Sequence, residues 1–289
     1  MRRRKKYDFY IVVFLTLFTI GYFVYNHTSS ESRGVDSYSA ALEDYKASDY
    51  EKAYQEFGKV PSGSTLKPSA LFRQARCATN MSKNELAIKK YNRIVKNGSK
   101  SSIAPISEYN MANLMYEANN KDAKKHFKKI IKKYPTSDYA IASEYYLGMI
   151  EISNPPKSPK RLAKSQEKAI NYFKNYIEKA PDGRFALKSI EEIIKLDKSL
   201  SNYDNLLIAK GYYANGEFEK SKNFLNKTTL AESWSDFAKN EYKLGNKEKG
   251  NYYTELGLKQ HAGNTSQDDV FEVIDNYVAA AATRTEGIT

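Results

Sequence analysis

The chain has 289 residues, 41% of them hydrophobic and 28% charged, with a formal net charge of +12. Few glycines and prolines and one cysteine exclude a many-turned β fold, a disulfide framework and any multi-cysteine metal site. Five of the 46 basic residues and one of the 34 acidic ones fall in the first eight positions, leaving +8 on the rest, so the body favours anionic partners.

In chain order, Arg2, Arg3, Arg4, Lys5 and Lys6 form a basic head over 1–8, followed by an apolar run from Phe9 to Tyr25. Seventeen residues is the lower limit for crossing a hydrocarbon core of about 30 Å. Tyr7, Tyr10, Tyr22 and Tyr25 suit the two interfaces. No small-x-small cleavage site follows, so an uncleaved single-pass anchor is expected over 9–25. The basic head stays on the cytoplasmic side and the bulk of the chain lies outside, in a bacterial-type envelope. Residues 26–36, NHTSSESRGVD, read as a polar tether.

From there the chain repeats. DYEKAYQEFGKVP, NELAIKKYNRIVKNG, NKDAKKHFKKIIKKYP, QEKAINYFKNYIEKAP and GEFEKSKNFLNK each set a small residue four positions before a large one. The pairs are Ala53/Phe57, Ala87/Tyr91, Ala123/Phe127, Ala169/Phe173 and Ser221/Leu225. Pro135 and Pro181 close two of these helices, because proline cannot continue one. A partner helix precedes each, with a small residue where the pair must approach: Ala75, Ala112, Gly148, Ala209 and Ala238. SNPPKSPKRLAKSQ, with Pro155, Pro156 and Pro159, reads as an inserted loop, and RFALKSIEEIIKLDKS as an extra helix. A bend there divides the expected lobes, 37–181 and 182–289.

This phasing resembles the tetratricopeptide repeat, W-x2-L-G-x2-Y then A-x3-F then P, over roughly 36–260. The resemblance implies an all-α superhelix of stacked helical hairpins (an α-solenoid) behind one transmembrane helix. It also implies a groove lined by the first helix of each unit, at Tyr45, Arg76, Asn113, Tyr116, Lys210, Tyr213, Lys239 and Tyr242. Recurring tyrosines and cations there would grip an extended acidic peptide or a glycan. A second basic surface is Lys121, Lys124, Lys125, Lys128, Lys129, Lys132 and Lys133, suited to anionic headgroups or wall polymer such as peptidoglycan.

Gly211 and Gly216 have phosphate-loop spacing, but Glu217 and Phe218 stand where Lys and Ser/Thr are needed; Gly216 reads as a turn. His27, His126 and His261 are isolated, and Cys77 reads as core. No catalytic, cofactor or metal site is expected, and nucleic acid is disfavoured by the exported topology. The architecture also resembles the superhelical region of soluble lytic murein transglycosylases. Glu232-Ser233 begins their Glu-Ser-x-Phe element, but the phenylalanine is misplaced and no Gly-Leu-Met-Gln follows. The expected function is a non-catalytic scaffold for protein or cell-wall contacts. The alternative is the non-catalytic portion of such a transglycosylase, with its catalytic domain elsewhere.

Overall fold

A computed structural model describes the backbone of residues 2–97, 101–153, 155–260 and 266–285, and the side chains of 13–96, 101–153, 155–260 and 266–282. Among the described residues the chain is all helix. It divides into two compact units, Met1–Tyr134 and Pro135–Thr289.

The first unit holds α1 (Arg2–Lys46), α2 (Tyr50–Lys59), α3 (Lys67–Asn80), α4 (Asn84–Asn97), α5 (Ala104–Glu117) and α6 (Ala123–Lys133), paired as successive hairpins. Its core follows the expected phase. Ala53, Phe57, Ala75, Ala87, Tyr91, Ala112, Ala123 and Phe127 are all buried. Each small residue lets two backbones approach, and the large residue one turn later fills the space beyond.

The second unit holds α7 (Asp138–Ser153), α8 (Pro159–Lys179), α9 (Ala186–Leu196), α10 (Asn202–Ala214), α11 (Phe218–Leu225), α12 (Leu230–Lys243), α13 (Lys247–Gln260) and α14 (Gln267–Thr285). Ala169, Phe173, Ala209, Leu225 and Ala238 are again buried. The extra helix is α9. The expected insertion is largely helical: Pro159 takes the first turn of α8, where its missing N–H costs nothing, and RLAKSQ continues as helix. The expected lobe boundary at 181/182 falls inside one apolar cluster, in which Phe173 and Ile177 of α8 pack with Ile190 of α9 and Ile208 of α10.

Five hairpins turn in the same way. Ser48, Ser82, Asn119, Gly216 and Gly245 adopt left-handed backbone, with φ of 63°, 58°, 53°, 76° and 79°. Each donates its N–H to the carbonyl three residues back, and the next N–H reaches five back: Gly216 to Tyr213 at 3.0 Å and Glu217 to Tyr212 at 2.9 Å, for example. This Schellman closure satisfies carbonyls that the helix end would leave unpaired. Gly216 is therefore a turn residue, as its sequence context suggests, while Gly211 sits inside α10 against Ile190.

The expected tether needs correction. Residues 26–36 are not a tether but part of α1. Gly34 is buried where an added Cβ would collide with Ser64, and Glu31 accepts from the Thr65 N–H at 2.6 Å and the Ser64 hydroxyl at 2.9 Å. These contacts fix the lower part of α1 to the link between α2 and α3. The membrane-crossing stretch expected over 9–25 lies partly outside the residues whose side chains are described; among the described residues no helix is long and apolar enough to cross a membrane. Side chains before Val13 lie outside the described residues.

Candidate binding surfaces

In the first unit α3, α4 and α5 enclose a cleft of about 400 Å³. Its floor is Phe72, Tyr91, Ile106 and Leu114; its polar lining is Arg76, Thr79, Asn80, Asn110, Asn113 and Glu117. Arg76 is exposed at the rim. Asn110 donates its side-chain N–H to the Tyr91 hydroxyl at 3.4 Å. Burial pushes that hydroxyl's pKa up, against the hydrogen bond from Asn110 and the charge of Arg76. The Asn113 Oδ1 is buried with no hydrogen-bond partner. An unsatisfied buried acceptor costs free energy, so a donor that reaches it is favoured.

Of the expected groove residues of this unit, Arg76 and Asn113 meet in the cleft, and Tyr45 and Tyr116 do not line it. Tyr45 stacks edge-on against Tyr50 and lies under the Arg73 guanidinium at 5.3 Å. The recurrence of tyrosine has a local cause. Tyr45, Tyr116, Tyr213 and Tyr242 all occupy the position whose carbonyl accepts the left-handed residue's N–H. The sequence reading missed Asn80 and Asn110; the signal for the latter was its i,i+3 spacing to Asn113.

In the second unit the expected groove residues are engaged by α12, α13 and α14. Lys239 is buried and pairs with Asp269 at 2.5 Å, Glu272 at 3.5 Å and Asp236 at 3.9 Å. Burial opposes the charge of Lys239, but these acids hold its pKa above the ordinary lysine range. Lys210 pairs with Asp236 at 3.6 Å. The Tyr213 hydroxyl donates to Glu272 at 3.4 Å, and its pKa is pushed up to about 12 by burial and then by the Glu272 charge. Tyr242 donates to Asn251 at 2.9 Å and packs over Gly250.

The lysine-rich helix is α6, with Lys121 just before it. Lys121, Lys125, Lys128 and Lys132 are exposed, and Lys133 stands 5.2 Å from the Tyr134 ring centre. Lys124 is half-buried. Lys129 is committed inward: it pairs at 2.6 Å with Glu108, a fully buried carboxylate of α5 that His126 also meets at 3.1 Å. The arrangement recurs. Glu144 of α7 pairs with Lys179 of α8 at 3.1 Å, and Glu241 of α12 with Lys222 of α11 at 2.8 Å. Asp204 of α10 pairs with Lys174 of α8. Two of these acids sit in identical Ser-Glu-Tyr triplets, 107–109 and 143–145, whose serines bond back to Ile103 and Tyr139 carbonyls at 2.6 Å.

Residues 69–99 and 107–137 match the profile of the tetratricopeptide repeat family. The helical hairpins and these two matches define a tetratricopeptide-like repeat protein. Similar solved structures include a tetratricopeptide repeat protein from Parabacteroides merdae, 12% identical, covering 86% of this chain and 99% of that one, with a TM-score of 0.46. The TPR2AB domain of yeast Sti1 in complex with pHSP90 is 13% identical, covers 86% and 99%, and has a TM-score of 0.36. The C-terminal part of a TPR repeat-containing protein from Cytophaga hutchinsonii is 14% identical, covers 87% and 98%, and has a TM-score of 0.34. No curated protein matches this chain. None of these comparisons carries the transglycosylase resemblance. Glu232, the residue behind it, accepts from the Thr229 hydroxyl at 3.0 Å in the first turn of α12 and bonds Asn202.

The Glu108 cluster predicts a pH dependence. Burial alone would raise the Glu108 pKa, but His126 and Lys129 together hold it below the usual carboxylate range. A depressed carboxylate stabilises the fold above its unfolded pKa of about 4.3, and that contribution disappears as pH falls through the lower folded value. Glu108→Gln is therefore expected to lose about 1–3 kcal/mol at neutral pH and progressively less in acid. Urea unfolding across pH reads this; a deficit that is the same at acidic and neutral pH would exclude it.

Proposed function

We propose that this chain is a non-catalytic binding scaffold that holds an extended acidic segment of a partner protein across the first helices of its repeats. The observation that carries the reading is the cleft between α3 and α5. It joins a cation, Arg76, amide groups of Asn80, Asn110 and Asn113, and an apolar floor, with one carboxylate, Glu117, on its lining; Arg76 and the amides suit a peptide carboxylate, and the floor suits an adjoining apolar side chain. It also lies across the two stretches that match the repeat family. The test is fluorescence anisotropy with a fluorescein-labelled octaglutamate peptide. Binding is expected to weaken with salt and to fall about tenfold in Arg76→Gln, the scale of one charge-assisted hydrogen bond. Unchanged binding in that variant would refute the assignment of the cleft.

We propose further that the scaffold is held at the outer face of a bacterial-type cytoplasmic membrane by the apolar stretch of α1. Two features support this. Phe14, Leu17, Phe18, Phe23 and Tyr25 are all largely exposed, and residues 13–28 are exposed on every side of the helix. A protein groove covers one side of a helix; lipid covers all of them. The cations at 2–6 complement anionic headgroups, as does the exposed lysine face of α6, which could equally meet an anionic wall polymer. The full chain is expected to float with phosphatidylglycerol-containing vesicles, and a Phe14→Gln, Leu17→Gln, Phe18→Gln variant to stay behind. Equal flotation of the two would remove this part of the proposal.

A further inference from the structure

The cationic surface of α10 and α12 in the second unit is already occupied, and its occupant states the chemistry it fits. α14 lies against α12 and α13. Its Val273 is fully buried against Trp234 and Ala238, with Val270 beside them. One turn before Val273, Asp269 takes the Lys239 ammonium; Glu272 meets both Lys239 and the Tyr213 hydroxyl. Asp236 of α12 also faces Lys239 and Lys210, and burial raises its pKa against them. Within α14, Asp269 and Glu272 bring two further carboxylates to the buried Lys239 ammonium.

The grip is shallow on its apolar side. Phe271 and Val278 of the same helix stand 54% and 58% exposed. Val270 and the Tyr277 hydroxyl, which donates to Glu255 at 3.0 Å, add to this seat, and its paired acids state what a competing helix would have to offer.

We propose that this surface is a docking site for a helix of a partner protein that carries an acid, a second acid three positions on and an apolar residue next to it, and that α14 is its resident stand-in, displaced on binding. The site lies in the second unit and does not depend on the reading of the cleft in the first. It specifies a helical partner with paired acids, where the cleft takes an extended one.

The probe is a fluorescein-labelled peptide with the sequence of residues 266–285, offered to the full chain. In the wild type the tethered α14 competes at a high effective concentration, so the free peptide binds weakly. In the full-length Asp269→Asn/Glu272→Gln variant the peptide is expected to bind at least about tenfold tighter. Trp234, the one tryptophan of the chain, reports the same event: its emission shifts to the red in that variant and returns when peptide is added. Val273→Ala, which weakens the apolar seat and leaves every charge, is a second opened form with the same expectation. Arg76→Gln should leave this binding unchanged, which separates it from the cleft. The proposal is overturned if neither opened form binds the peptide more tightly than wild type, or if a peptide lacking both acids binds equally well.

Discussion

The architecture depends on the close approach of paired helices at small residues, where an aromatic ring of one helix enters the space left by the missing side chain of the other. Gly148 of α7 shows the limit. A Cβ there would stand 2.6 Å from the Phe173 ring of α8. Gly257 of α13 stands likewise under the Trp234 ring. Burying one such ring contributes about 1.5–3 kcal/mol, and overpacking by one or two carbons costs about 1–3 kcal/mol. A single methyl group at the contact can therefore cancel a whole ring. The spacing of small and large residues is thus an energetic requirement, and it fixes which side chains remain for binding.

Charge is organised on the same frame. The protein is strongly basic overall, yet it buries carboxylates in its first helices and answers most of them with a lysine of a packed neighbour. Such pairs return little net stability once desolvation is counted, but breaking one leaves an uncompensated buried charge. At Lys239 the roles reverse: the buried charge is a cation, and α12 and α14 bring the acids. The first unit leaves its polar cleft open to solvent; the second covers the corresponding lysine with a helix of its own.

Much of this frame was legible in the residues. The Ala53/Phe57, Ala87/Tyr91, Ala123/Phe127 and Ala169/Phe173 spacings located the second helices because i,i+4 neighbours share a helix face. Arg76 and Asn113 came from the groove positions that the repeat resemblance implies, and both line the cleft of the first unit. Other features were hidden by tertiary context. Residues 26–36 are rich in serine and carry a glycine, which reads as a tether; Gly34 is used instead for close packing on Ser64, and Glu31 bonds the chain at Thr65. Tyr213 and Tyr242 looked like binding residues, but the turns and α14 engage them. The buried acids escaped notice because charge is normally solvated, although the repeated Ser-Glu-Tyr triplet marked two of them. Ser266 and Asp269 open α14 with a hydroxyl–carboxylate bond of 2.7 Å. The seat of that helix on Lys239 was not legible, since the pairing spans 30 residues of sequence.

The contact of Gly148 with Phe173 gives the most direct test. Alanine in the middle of a helix normally stabilises it by about 1 kcal/mol over glycine. The account predicts the opposite sign for Gly148→Ala, a loss of about 1–3 kcal/mol in denaturant unfolding, and recovery of at least about 0.5 kcal/mol of that loss when Phe173 is shortened to leucine. If Gly148→Ala stabilises the protein, or its effect is the same with either residue at 173, the ring and the small residue are not packed as described, and the explanation of the repeat fails.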